Sequence, residues 1–273
     1  MHRRARRNRY GGWDASTSPA KRAALITMVH NEGVFLPLWL DYYSRFFGPD
    51  DIYVFDHEST DGSTEREGFI RIPVTHDSVD HTWMVETIET LQNDLISSRY
   101  EAVLVTDVDE IVAPDPRWGT LRHYIDRIDE DYVNCHGFEL IHVREQEPPI
   151  DLGCPVLKQR RFWFRNTLYD KPALATVPMK WEPGFHWTTD HVNNFDPDLF
   201  MIHLHRVDYE ICLARHRLRR NLRWQRRDVE LAWAAHNLFA EREEFDRWFY
   251  EDSGTDECPV VVEPIPEMLV GLL

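Results

Sequence analysis

Short apolar runs alternate with amphipathic segments over the first 115 residues. The runs at 23–29, 51–56 and 103–112 are rich in valine, isoleucine and leucine and have the length of buried strands, and residues 70–77 form a fourth, weaker run. Residues 34–48 and 82–98 place apolar side chains at helical spacing. Strands that alternate with helices predict an α/β protein with a mostly parallel central sheet, flanked by helices and joined by right-handed crossovers.

The pattern changes after Pro114 and Pro116. A helix is predicted near 119–128 and a strand at 138–143, whereas residues 158–206 are dense in aromatic residues, histidines and turn formers. An arginine-rich amphipathic helix or helix pair is predicted over about 207–250. Residues 1–20 lack apolar periodicity and are interpreted as a flexible basic tail. We therefore expect one compact domain with two halves, 21–115 and 116–273.

Polar turns follow three of the apolar runs, at 30–32, 56–61 and 107–110. Because the carboxyl ends of parallel strands lie along one edge of a sheet, these turns are expected to converge on one cleft. Asp107 and Asp109, one residue apart in such a turn, can reach a hard divalent cation or its waters. The alternative is a solvated acidic turn. For Asp61 and Ser63, local turn bonding is the favoured interpretation.

Composition and charge narrow the class of protein. The chain has 273 residues, a formal net charge of −16 and 42% hydrophobic residues, which favours a globular protein and argues against a nucleic-acid partner. No apolar stretch approaches the roughly 20 residues of a membrane span, and no signal-peptide core is evident, so a cytoplasmic protein without a transmembrane segment is expected. No Cys-x-x-Cys pair occurs, and reduced, mostly buried thiols without a functional role are expected at Cys135, Cys154, Cys212 and Cys258.

The ordered segments HNEGVFLPLWLDYYSRFFG, DIYVFDHESTDGS and VLVTDVDEIV resemble glycosyltransferase family 2 and the related family 92 type domains. The resemblance covers residues 23 to about 112 and extends more loosely to KPALATVPMKW, GFHW and MIHLHR. It implies a GT-A type nucleotide-diphospho-sugar transferase fold, a nucleotide-sugar donor and a metal-binding Asp-x-Asp motif. One departure is that His57 follows Asp56, where the commonest family 2 loop has two consecutive acids.

The resemblance also implies roles for individual residues. His30, Asn31 and Glu32 with Asp56 would flank the base and ribose of the donor, while Asp107 and Asp109 would face its diphosphate through Mn²⁺ or Mg²⁺. A histidine of the second half is commonly a further metal ligand in such enzymes. The candidates are His203, His205 and His186.

Two further residues have candidate roles in transfer. Lys171 is a candidate phosphate contact, with a solvated surface lysine as the alternative. An inverting transfer to a hydroxyl acceptor, such as a glycan, needs a base near the acceptor, and Asp190 is the candidate. It lies close in sequence to Trp181, Phe185 and Trp187. These rings are expected either to form a sugar-binding wall or to pack in the core.

Two other functions fit parts of the pattern. A haloacid-dehalogenase-like phosphohydrolase also has a strand followed by Asp-x-Asp, but that motif usually opens its domain. A non-catalytic carbohydrate-binding protein with the same fold is the alternative outside the enzymes. The sequence favours the metal-dependent glycosyltransferase.

Overall fold

A computed structural model describes residues 20–233, 235–255 and 259–273. The predicted basic tail lies outside the described residues, apart from residue 20, and so does Cys258. The strands are β1 Ala23–Val29, β2 Ile52–His57, β3 Ile70–Val74, β4 Ala102–Val105, β5 Glu110–Pro114, β6 Tyr132–Ile141, β7 Phe162–Arg165, β8 Pro172–Ala175, β9 Phe195–Arg206 and β10 Glu263–Pro264. The α-helices are α1 Phe35–Tyr43, α2 His81–Ser98, α3 Leu121–Arg127, α4 Val156–Gln159, α5 Tyr209–Arg220, α6 Arg226–Glu230 and α7 Arg242–Glu251.

One sheet runs through both halves of the chain, with the strand order β10-β7-β6-β8-β4-β1-β2-β3. The four strands of the first half that lie side by side, β4, β1, β2 and β3, are parallel. Strand β8 joins them to the second half through antiparallel pairs with β4 and β6. Strand β9 pairs in parallel with β6 and antiparallel with β5. The predicted α/β fold, with a central sheet flanked by helices, is confirmed, and each antiparallel pair includes at least one strand of the second half.

The apolar run at 103–112 is two strands and not one. The chain leaves the sheet after β4, turns through residues 106–109, and pairs again as β5 with β9. Helix α1 fixes this turn, because Trp39 Nε1 donates to Thr106 Oγ1 at 2.9 Å and the hydroxyl of Tyr43 donates to the carbonyl of Glu110 at 3.1 Å. The acidic turn is therefore held by buried groups on its inner side.

The helices that were predicted are present. Helix α2 begins one residue before the predicted segment, because Asp80 caps it by accepting hydrogen bonds from the backbone N–H groups of Thr82 and Trp83. The arginine-rich region forms three helices, α5, α6 and α7, where one helix or a helix pair was predicted. Within the described part of the chain, no helix has both the length and the apolar character needed to cross a bilayer. Cys135 and Cys212 are buried free thiols, whereas Cys154 is exposed.

Candidate functional site

A cavity of about 340 Å³ lies at the carboxyl ends of β1, β2 and β4. The three polar turns meet there, as expected: His30 Nδ1 is 2.6 Å from the carbonyl of His57, and the backbone N–H of Asn31 donates to Ser59 Oγ at 3.0 Å. The second half closes the cavity with β9, α5 and the segments around 169–171 and 184–186. The site is thus built from both halves of the chain.

Asp109 is one of the acidic residues that line the cavity, and it is almost fully buried. Its Oδ2 lies 3.4 Å from His203 Nε2 and 3.7 Å from His205 Nδ1, and it also accepts a hydrogen bond from the guanidinium of Arg215. Burial opposes ionisation of Asp109, but Arg215 and the charged imidazole of His203 hold its pKa well below the usual range. The residue is a carboxylate at neutral pH.

The register of the second half places the histidines beside Asp109. His203 on β9 is paired with Glu110 on β5 and with Glu139 on β6. His203 Nδ1 lies 2.7 Å from the Oε2 atom of Glu139, whose side chain is 1% exposed. Burial alone would lower the pKa of His203, but Glu139 and Asp109 outweigh it and raise the pKa to about 10. The imidazole is charged at neutral pH as long as no other cation lies between it and Asp109.

Asp107, the other acid of the motif, is bound to a different cation. Lys171 Nζ lies 2.8 Å from Asp107 Oδ2 and 2.6 Å from Glu110 Oε1. The lysine is buried, whereas the side chain of Asp107 is 46% exposed towards the cavity. Burial opposes ionisation of Lys171, but the attraction between the two groups raises the pKa of Lys171 and lowers that of Asp107. The solvated-lysine alternative for Lys171 is therefore wrong.

Glu32 anchors two arginines of α5 in the cavity. Its Oε1 accepts from Arg215 Nη2 at 2.7 Å and from Arg219 Nη2 at 3.1 Å. Arg215 therefore bridges Glu32 and Asp109, and its guanidinium also lies over the ring of Phe35 at 4.4 Å. Since Arg215 and Arg219 are four residues apart on one helix, they present two positive charges on the same face. The cavity thus holds fixed cations although the protein is acidic.

The donor-side residues implied by the resemblance are divided between the cavity and the turn behind it. His30 and Glu32 line the cavity. Asn31 instead shapes the turn: it has φ +55° and accepts from the backbone N–H of Thr60 at 2.7 Å. Asp56 is 2% exposed and does not line the cavity. Its carboxylate accepts a hydrogen bond from Thr64 Oγ1 at 2.8 Å and forms an ion pair with Arg71 at 2.5 Å.

The remaining predicted residues also differ in position. His186 lines the cavity, but its Nδ1 is 2.7 Å from the carbonyl of Leu168, and burial and nearby Lys171 lower its pKa to about 3. Asp190 is exposed in a turn, where it accepts from Thr188 Oγ1 at 2.6 Å, and it does not line the cavity. Asp61 accepts from Ser63 Oγ at 2.6 Å, which confirms local turn bonding.

Sequence reasoning missed Glu139, Arg215, Arg219 and His216. Glu139 could have been identified from the sequence, because an acid inside the apolar segment FELIHV must be buried with a partner. An arginine-rich amphipathic helix is most simply interpreted as having its arginines on a solvated face, and this interpretation is wrong for Arg215, whose side chain is 8% exposed. The four-residue spacing of Arg215 and Arg219 showed a shared face but not that this face points inward.

Asp109, His203 and His205 form a group that fits a divalent metal ion. Their ligand atoms all lie within 4.8 Å of one another, and all three residues are buried. Two ligand atoms about 2.1 Å from one ion are about 3 to 3.5 Å apart, close to the 3.4 and 3.7 Å separations from Asp109. The hydrogen bond from His203 to Glu139 is of the kind that orients metal-binding imidazoles. The residues therefore fit the ion, provided that Arg215 gives up its contact with Asp109.

No protein-family model matches the chain, and no curated protein matches it in sequence. Similar solved structures include the mannosyltransferase PcManGT from Pyrobaculum calidifontis in complex with GDP-Man and Mn²⁺, with 14% identity, a TM-score of 0.40 and coverage of 76% of this chain. This chain spans 63% of that protein. A mycobacterial protein has 17% identity and a TM-score of 0.37 over 71% of this chain and 69% of its own. Neither similarity assigns an activity to this chain.

Proposed function

We propose that this chain is a metal-dependent glycosyltransferase that moves a sugar from a nucleotide-sugar donor to a hydroxyl acceptor. The observation that carries the proposal is the group Asp109, His203 and His205 at the carboxyl edge of the parallel strands, inside a cavity of about 340 Å³. In open α/β sheets this edge is where ligands bind. The ordered motifs of the first half, which resemble GT-A type transferases, point to the same class.

Charge stabilisation on the leaving diphosphate is the main chemical task in such a transfer. When bound, a divalent ion held by Asp109, His203 and His205 would supply Lewis-acid stabilisation. Arg215 and Arg219, released in part from Glu32, would add fixed donors for phosphate oxygens. Lys171 would act at a distance, because both of its observed partners are carboxylates that it neutralises.

We assign the base and ribose of the donor to the side of the cavity formed by β1 and β2. His30 and Glu32 line this side, whereas Asn31 and Asp56 would act by holding the turns in place. The half 21–115 is thereby the proposed donor half, and 116–273 the proposed acceptor half. Both contribute ligands to the ion, so neither half would act alone.

The base that accepts the proton of the acceptor hydroxyl stays a prediction. A base must come within hydrogen-bond reach of that hydroxyl, directly or through one water. Asp190 lies outside the cavity lining, and its bond to Thr188 holds its pKa below the usual range. Asp190→Asn in a transfer assay tests its role: loss of turnover with unchanged donor affinity would support it.

The proposed function is tested by thermal unfolding and calorimetry with UDP, GDP and their sugar conjugates, with and without Mn²⁺. We expect stabilisation by at least one nucleoside diphosphate that depends on Mn²⁺, and slow hydrolysis of the matching sugar donor. Asp109→Asn is expected to abolish both effects. Asp94→Asn, at an exposed position of α2, is the matched control and should leave them unchanged.

Two results would contradict the proposal. One is metal-dependent release of phosphate from simple phosphomonoesters without any response to nucleotides, which would favour the phosphohydrolase. The other is binding of free sugars or glycans with no response to Mn²⁺ or nucleotides, which would favour the non-catalytic alternative. Full nucleotide response in Asp109→Asn would remove the site assignment even if the activity itself were established.

A further inference from the structure

Behind the proposed metal site, two imidazoles and a backbone carbonyl form a chain of hydrogen bonds. His205 Nε2 lies 2.9 Å from His216 Nε2, and His216 Nδ1 lies 2.9 Å from the carbonyl oxygen of His236. We call His205, His216 and this carbonyl the histidine relay. His205 comes from β9 and His216 from α5, and both are buried.

The carbonyl end of the histidine relay fixes where each proton lies. A carbonyl oxygen can only accept, so His216 Nδ1 carries a hydrogen. In a neutral imidazole the other nitrogen then has a lone pair, and His216 Nε2 must accept from His205 Nε2–H. By the same rule, His205 Nδ1 is left with its lone pair, and this atom is the one that lies 3.7 Å from Asp109 Oδ2. His205 Nδ1 and Asp109 Oδ2 are therefore both acceptors, and a cation would fit between them.

We infer that His216 is a positioning residue, which holds His205 in the tautomer whose Nδ1 lone pair points at the metal position beside Asp109. This inference rests on the proposed function for the identity of the ligand. It goes beyond that function in assigning the tautomer and the group that sets it. His216 itself has no contact with the proposed ion.

The surroundings of the relay keep both rings neutral. His216 packs against the rings of Trp248 at 4.7 Å and Phe245 at 5.1 Å, and its pKa is lowered to about 3 by burial and then by nearby Arg219. His205 is buried as well, and desolvation opposes a second proton on its ring. The relay is thus a proton-ordered chain of neutral groups.

The two histidine ligands are oriented in different ways. His203 donates from Nδ1 to the carboxylate of Glu139, which raises its basicity, whereas His205 donates from Nε2 to a neutral ring. A neutral acceptor orients the ligand without adding negative charge to a site that already holds several buried acids. The histidine relay therefore orients the ring of His205, whereas Glu139 adds negative charge beside His203.

Nitrogen-15 NMR of the histidine side chains in the metal-free protein tests the tautomer directly. We expect His205 to show a protonated Nε2 and an unprotonated Nδ1, with its signals assigned from the spectrum of His205→Gln. In His216→Phe, which keeps a ring but removes the acceptor, we expect the tautomers of His205 to mix. His216→Gln, whose side-chain oxygen can accept from Nε2–H, should restore the native tautomer.

Titration with Mn²⁺ gives the second measurement. We expect His216→Phe to weaken Mn²⁺ binding by about 10- to 100-fold and His216→Gln to recover much of the loss. His191→Gln, at a position with a 61% exposed side chain, is the matched control and should bind Mn²⁺ like the original chain. A protonated His205 Nδ1 in the unsubstituted protein, or an unchanged tautomer in His216→Phe, would overturn the inference. Absence of Mn²⁺ binding with the expected tautomer would instead count against the proposed function.

Discussion

Proton release on Mn²⁺ binding is the most direct quantitative consequence of the proposed metal site. His203 Nε2 faces Asp109 Oδ2 at 3.4 Å while His203 Nδ1 is bound to Glu139, and together the two acids raise its pKa to about 10. At pH 7.5 the imidazole is therefore charged. An ion that takes the Nε2 lone pair must displace its proton, so we expect about one proton to be released per ion bound.

The size of the pH effect follows from this linkage. Between pH 7 and 9, below the raised pKa of His203, each pH unit should increase the apparent affinity for Mn²⁺ about tenfold, which corresponds to about 1.4 kcal/mol. Isothermal titration calorimetry in two buffers with different ionisation enthalpies counts the released protons. Glu139→Gln removes one of the two acids that raise the pKa, so this variant should release fewer protons at pH 7.5.

The same group links pH to the stability of the metal-free protein. Since the pKa of His203 is about 10 in the folded state and about 6.5 when unfolded, the folded state binds more protons between these values. This contribution is fully present below about pH 6.5 and is lost as the pH rises through 10. Urea unfolding should show a decline of up to about 1.4 kcal/mol per pH unit near pH 8, absent in His203→Gln.

Two outcomes would refute this reasoning. Mn²⁺ binding without proton release at pH 7.5 would mean either that His203 is neutral in the free protein or that it is not a ligand. A stability profile near pH 8 that is the same in His203→Gln and in the unsubstituted protein would exclude the charged imidazole. The second result would stand whether or not the protein binds a metal.

Two further predictions concern stability. Lys171→Met should lower the free energy of unfolding by about 3 to 5 kcal/mol, because it leaves two carboxylates without their buried cation, whereas Lys180→Met, at a 69% exposed side chain, should cost less than about 1 kcal/mol. Gly137→Ala would place a Cβ 2.5 Å from the backbone of Tyr169 and should cost about 1 to 3 kcal/mol, whereas Gly271→Ala meets no atom within 4 Å and should be nearly neutral. Urea unfolding of the four variants measures both differences; equal costs within either pair would contradict the corresponding argument.

The part of the site formed by residues 21–115 was predictable, because a polar turn that follows an apolar run can be recognised from neighbouring residues alone. Each of the turns at 30–32, 56–61 and 107–110 follows an apolar run, and parallel pairing brings such turns to one edge without any knowledge of the partner strands. Asp107 and Asp109 could be identified as a pair in this way. What their spacing could not show is that two different cations hold them, Lys171 for Asp107 and Arg215 for Asp109.

The second half of the site depends on long-range pairing, which the sequence pattern does not specify. His203 became a candidate because of its residue type and position in the chain, but its place beside Asp109 follows from the registers of β9 with β5 and β6. Glu139 is 64 residues away from His203 along the chain. Arg215 is 106 residues away from Asp109. A one-residue slip of β9 against β5 or β6 would turn His203 to the other face of the sheet, so periodicity alone could not bring these groups together.

For the proposed transferase, an order of ligand binding follows from the charges in the cavity. A divalent ion adds two positive charges, and the proton that it displaces from His203 removes one, so the cavity becomes more positive by one charge. The protein carries a formal charge of −16 and would repel an anionic donor at long range. The added positive charge in the cavity would therefore help to hold a diphosphate. The ion also competes with Arg215 for Asp109, and an arginine freed from that contact has donors for phosphate oxygens. The metal is therefore expected to bind first and to prepare the cavity for the donor.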